Sequence, residues 1–216
     1  MDAAATEDAV AHIARGDVPW LRARLHAEPP AFPRRPTSGD YDLAPELQRH
    51  AANDLLLAAV LLPIVLRPEP MVLFTQRSTQ LSRHAGQVSF PGGRSQDGDV
   101  SLTETALRET REETGIEPAF VTVAGFLNTY ETGTGYAVLP VVGLLNDGFA
   151  LVPDANEVAQ IFEVPLAFLM DRGNLKHEER EWKGVMRRIY SFTYGPHYIW
   201  GATAAMVVGF TERLRA

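Results

Sequence analysis

From residue 55 onward, apolar positions come in short dense runs; at the two ends of the chain they come in spaced stripes. The runs predict strands and the stripes predict helices. Residues 5–26 carry Val10, Ile13, Leu21 and Leu25 at helical spacing, with Gly16 and Pro19 interrupting midway. Residues 28–45 hold Pro29, Pro30, Pro33, Pro36 and Pro45, which predicts an extended connection across the surface. Two strands, 55–66 and 71–76, flank the turn Arg67-Pro68-Glu69-Pro70 as in a hairpin. A short strand at 87–90 delivers the chain to Pro91-Gly92-Gly93. A helix follows over 101–114, with Ser101 or Thr103 as its cap and Gly115 as its stop.

Further on, 120–130 and 136–145 read as strands joined by the Gly133-Thr134-Gly135 loop, 165–170 as a helical turn, and 183–194 as a strand turned by Gly195-Pro196. The charged run His177–Glu181 reads as a solvated strand or loop. Residues 201–214 form a last helix with Ala204, Val207, Val208 and Leu214 facing inward. Strands mixed with a few helices, without a repeated βαβ pattern, predict an α+β fold: an α/β/α sandwich with a mixed sheet flanked by helices. The expected organisation is an N-terminal helix and proline-rich extension over 1–50 and one domain over 51–216. A chain of 216 residues suffices for one full core.

Composition narrows the classes. The chain is 45% hydrophobic and 22% charged with a net charge of −7, which argues against a nucleic-acid partner. It has no cysteine, so disulfides, thiolate zinc sites and cysteine nucleophiles are excluded. No apolar run has the length of a membrane span, and the N-terminus lacks an apolar signal core, so a cytoplasmic protein without a membrane partner is expected. A homodimer is left open, since the extension can wrap its own domain or a neighbouring subunit.

Residues 92–116 hold the candidate chemistry. Glu109, Glu112 and Glu113 share one helix face by their i, i+3, i+4 spacing. Like charges so placed repel, and a hard divalent cation relieves the repulsion; Mg²⁺ or Mn²⁺ suits oxygen donors and completes its shell with water and substrate phosphate. Glu109 and Glu113, one turn apart, are the first candidates to hold the ion. Glu112 either joins that shell, serves a second metal or polarises the attacking water. Arg108, on another face, is expected to pair with Glu104 or a helix carboxylate and fix rotamers. Gly92 and Gly93 allow the backbone to approach a ligand, and a loop carbonyl at Gly93 can coordinate metal.

Gly93, Arg108, Glu109, Glu112, Glu113, Gly115 and Ile116 resemble the Nudix hydrolase box, and the run R-E-x-x-E-E-x-G-I matches it without a break. The family's first glutamate falls on Asp99, its loop is one residue longer here, and Thr110 stands at an aliphatic position. The resemblance implies a metal held by helix glutamates and a loop carbonyl, and water attacking a diphosphate. Upstream, Leu73-Phe-Thr75-Gln-Arg77-Ser78 and Gly86-Gln-Val88-Ser-Phe90-Pro91-Gly92-Gly93 resemble the signature of the coenzyme A pyrophosphatase branch; Ser82 stands where its second arginine is expected, with Arg83 beside it. The implied substrate is coenzyme A or acyl-CoA, split into 3′,5′-ADP and 4′-phosphopantetheine or its acylated form. Arg77, Arg83, His84 and Gly92 are then the candidates for binding substrate, since guanidinium suits phosphate oxygens. Glu157, outside the box, is a second candidate for the base. Alternatives are another nucleoside diphosphate derivative such as ADP-ribose, and a nucleotide-binding module without catalysis.

Overall fold

The computed structural model describes the chain except residues 1, 31–35, 46–49, 82–83 and 183, and the side chains of Asp2 and Asn53. The first helical stripe splits as its breakers require. Helix α1 (Asp2–Ala14) ends ahead of Gly16, and α2 (Val18–Arg22) begins with Asp17 accepting from the Trp20 amide. The described part of the proline-rich connection carries a two-residue strand, β1 (Ser38–Gly39), followed by a single 3₁₀ turn.

The predicted hairpin is formed by β2 (Leu56–Val65) and β3 (Met71–Arg77), with Ile64 opposite Val72. Then come β4 (Val88–Ser89), β5 (Gly92–Arg94) and α3 (Leu102–Thr114). The apolar run expected at 120–130 is two strands, β6 (Val121–Phe126) and β7 (Tyr130–Glu131), and it returns along β8 (Tyr136–Leu145). Strand β9 (Val158–Pro165) leads into the short helix α4 (Leu166–Met170). The charged run lies in β10 (Lys176–Trp182), paired with β11 (Val185–Tyr194), which pairs in turn with β12 (His197–Trp200). Helix α5 (Ala202–Arg215) closes the chain.

Among the described residues the main sheet has nine strands, in the order β1-β7-β8-β2-β3-β4, with β5 joining β2, β6 joining β8 and β9 joining β3. It is mixed: β2 and β8 run parallel over the whole of β2, while β2 meets β3 and β5 antiparallel. Alternate residues of the central strands face opposite layers. Leu61, Leu73, Leu139 and Val141 pack with Ala106 and Ile116 from the α3 side. Leu62, Phe74 and Val142 pack on the other side with Ile13, Leu21, Leu169, Phe210 and Phe192. The result is the expected α+β sandwich, in which α3 is the one α-helix on its face among the described residues. No described helix is long and apolar enough to cross a membrane.

Candidate active site

Helix α3 is set by its ends. Ser101 accepts from the Glu104 amide at 3.1 Å, and Gly115 takes the left-handed conformation at φ 78° while its N–H bonds Arg111. Thr110, at the position where an aliphatic residue is expected, is buried and donates its hydroxyl to the Ala106 carbonyl at 2.7 Å. A polar side chain is therefore carried on the packed face without an open hydrogen bond.

Strand β5 brings the glycines under this helix, pairing Gly93 with Ala59 and Gly92 with Val60. A Cβ at Gly93 would stand 2.6 Å from the Glu109 carboxylate, and one at Gly92, whose φ is 153°, would stand 2.4 Å from the Ala59 carbonyl. Backbone and helix approach here as only glycine permits.

The three glutamates lie on one side of the helix but in different environments. Glu113 is 4% exposed. It accepts from the Gly92 amide at 3.3 Å and sits 3.9 Å from Arg77 Nη1. Burial pushes its carboxyl up to about 8 despite those two contacts. Glu109 is raised as well, again by burial first, with Arg108 opposing. Glu112 is exposed. Glu157, in the turn before β9, is exposed, yet its charge adds to the rise at both Glu109 and Glu113, so it faces the same group. Its carbonyl accepts from the Ser78 amide at 2.7 Å, which pins this turn to the end of β3.

Arg108 pairs with the helix carboxylates, one of its two expected partnerships, and adds a partner outside them. It holds Asp99 through Nε at 2.9 Å and Nη2 at 3.1 Å, and its Nη1 lies between Glu109 at 2.8 Å and Glu112 at 2.9 Å. Glu104 takes no part; it accepts from the Val100 amide at 2.7 Å. Asp99 is the partner the sequence reading missed. The Arg108 guanidinium holds its carboxyl far below the usual carboxylate range. The extra loop residue still lets Asp99 fold back onto the helix, where it also accepts from the Thr105 hydroxyl at 2.8 Å.

The structure thus gathers Arg77, Gly92, Gly93, Arg108, Glu109, Glu112, Glu113 and Glu157. It does not bring His84 to them: that residue is exposed, its Nδ1 bonded to Gln87 at 2.9 Å, with φ at 56°. Ser82 and Arg83 lie outside the described residues. Among the described residues no three carboxylates or imidazoles converge closely enough to hold a metal as placed, because Arg108 occupies Glu109 and Glu112 while Glu113 turns to Gly92 and Arg77. The donor chemistry nonetheless fits a hard divalent ion: every side-chain donor is a carboxylate oxygen, and the buried Glu113 is one whose ionised form a nearby cation would stabilise.

Residues 55–185 match the NUDIX domain family. The Nudix hydrolase NudL of Photorhabdus laumondii is 44% identical over 158 residues, 73% of this chain and 84% of that protein. NudL of Escherichia coli O7:K1 is 41% identical over 165 residues, 76% of this chain and 85% of that one. Among solved structures, DR0079 from Deinococcus radiodurans superposes with a TM-score of 0.47 at 14% identity, over 71% of this chain and 81% of that one. The extent of the family match and the identity to NudL, with the helix carboxylates assembled beside the glycine strand, place the chain in the Nudix hydrolase family, enzymes that use divalent metal ions to hydrolyse the diphosphate bond of nucleoside diphosphate derivatives.

Proposed function

We propose that the substrate is coenzyme A or an acyl-CoA, cleaved at its diphosphate to 3′,5′-ADP and 4′-phosphopantetheine or its acyl form. The observation that carries this reading is the placement of Arg77. It belongs to the segment resembling the coenzyme A branch, and its guanidinium stands 3.9 Å from Glu113. A phosphate beside the helix carboxylates would meet that cation, and guanidinium binds phosphate through charge-assisted hydrogen bonds.

In this reading Glu109, Glu112 and Glu113, with the Gly93 carbonyl, hold Mg²⁺ or Mn²⁺. The ion supplies charge neutralisation on the diphosphate and activation of the attacking water. Arg108 orients Glu109 and Glu112 and keeps them from repelling each other, and Glu157 or Glu112 takes the proton from water. Gly92 donates its amide to Glu113 and leaves room for the substrate. The enzyme works in the cytoplasm; a homodimer is compatible with this reading and is not needed by it.

The test is product analysis with coenzyme A in ¹⁸O-labelled water, with Mg²⁺ and Mn²⁺ compared. Release of 3′,5′-ADP and 4′-phosphopantetheine, with label in one of them, is the expected result. Turnover of ADP-ribose or a dinucleotide with none of coenzyme A would overturn the assignment.

A further inference from the structure

The hairpin of β10 and β11 contains an arrangement that stability alone does not favour. Arg180 stands directly opposite Arg187 in the antiparallel register, so two guanidiniums share one face of the small sheet. Like charges directly opposite are destabilising. The next pair along, on the other face, is Glu179 with Arg188, of opposite charge and 3.8 Å apart. The hairpin therefore pairs charges conventionally on one face and sets like charges together on the other.

Both arginines are held by aromatic rings. The Arg180 guanidinium lies 4.1 Å above the Trp200 ring, and that of Arg187 lies 5.0 Å from the Trp182 ring. Such stacking fixes a guanidinium plane and leaves its N–H edges for an anion. Arg187 gives one Nη to Asp40 at 3.3 Å, while its buried Nε finds no acceptor among the described residues. A buried donor without a partner is an exception that asks for an explanation.

These side chains line an open groove of about 510 Å³ between the small sheet and the end of β3 and β4, a size that suits a nucleotide. Glu181 lines it too and is the carboxylate of the groove wall itself, while Asp40 engages Arg187 through a single Nη. Gln76 also lines it, and the next residue along β3 is Arg77, which reaches Glu113. The groove and the glutamate group thus flank the same strand end. Arg187, Tyr198 and Trp200 lie beyond residue 185, where the family match stops, so part of this wall is built by chain outside the matched domain.

We infer that this groove seats the phosphorylated nucleoside end of the substrate, with Arg180 and Arg187 gripping a phosphomonoester that is not cleaved. Resting on the coenzyme A reading, that group is the 3′-phosphate of the adenosine. The groove then separates coenzyme A from nucleoside diphosphate derivatives that lack a 3′-phosphate.

The test uses calorimetric titration of the full chain with 3′,5′-ADP and 5′-AMP in the presence of chelator, then steady-state kinetics on coenzyme A and 3′-dephospho-coenzyme A. Wild type should bind 3′,5′-ADP about tenfold or more tightly than 5′-AMP. Arg180→Gln should erase that preference and Arg180→Lys should restore part of it. In kinetics Arg180→Gln should raise KM for coenzyme A by a similar factor, with kcat and the dephospho substrate little changed. Arg180 is exposed, so the variant should keep the wild-type melting temperature. Equal binding of the two nucleotides by wild type, or an unchanged preference in Arg180→Gln, would overturn the inference even if coenzyme A is hydrolysed. Conversely, an enzyme that binds 3′,5′-ADP through Arg180 but leaves coenzyme A intact would retain the groove and sink the substrate reading.

Discussion

Arg108 donates to three carboxylates at once, Asp99, Glu109 and Glu112, and so decides how the site's negative charge is tolerated without a metal. Asp99 is the anchor of this arrangement. Its folded-state carboxyl titrates below its unfolded value, so its contribution to stability is present above the ordinary carboxylate range and is lost as pH falls through it toward the folded value. Asp99→Asn should therefore flatten the acid side of the stability profile; urea midpoints at neutral pH and near pH ~3 would differ less in the variant than in wild type. An unchanged difference would mean that the pair is not felt in folding. Glu113→Gln keeps the size of the buried side chain and removes its charge. It should lower kcat by ~10²-fold or more while the melting temperature holds. The Asp99 contact was illegible in the sequence because nine positions separate it from Arg108, and only the folded loop closes that gap. Glu104, four positions before Arg108 on the same helix, was the nearer partner on paper; the chain uses it to close the Val100 amide instead.

Elements were more legible than contacts. The α3 boundaries follow from Ser101 and Gly115, whose cap chemistry is local and survives any tertiary setting. The β2–β3 hairpin follows from apolar runs around two prolines. What local pattern could not show was pairing between distant segments. Strand β5 is two glycines and an arginine, a composition that reads as loop, and it is a strand because β2 offers it a free edge. The facing of Arg180 and Arg187 depends on the register set at the tip of the hairpin, which residue type alone does not specify. Trp200 is half-buried, and the Arg180 guanidinium lies over its ring, a pairing between strands that the local pattern does not show. A prediction at this scale concerns the cap. Ser101→Ala should cost ~1 kcal/mol in chemical denaturation and fray the start of α3. No change would show that Glu104 and Val100 hold this end by themselves.

The whole molecule sets its carboxylate group on the helix that packs over β2, against a sheet whose buried positions are mostly apolar. The N-terminal helices belong to that packing: Ala9, Ile13 and Leu21 are buried in the same cluster as Ile64 and Leu214. Metal binding to the folded state alone should stabilise the whole chain by mass action, by ~2.7 kcal/mol when the ion is at a hundred times its dissociation constant. Thermal melts with Mg²⁺ or Mn²⁺ should therefore shift upward and return on addition of chelator, and Glu109→Gln or Glu113→Gln should lose the shift. A shift that survives both substitutions would place the ion elsewhere.

Strand β2 is engaged along both edges: β8 runs beside its full length, while β5 and β3 divide the other side between them, with the Leu61 amide bonded to Pro91. The glycine segment below the glutamates is thus hydrogen-bonded to a strand that is paired along both edges. Its amides are freed only when the central sheet opens. In native-state hydrogen exchange the β5 amides bonded to β2 should be among the slowest to exchange, through global opening, whereas amides of the exposed β10 should exchange early through local fluctuation. The chemistry would then be carried by the least mobile layer of the protein.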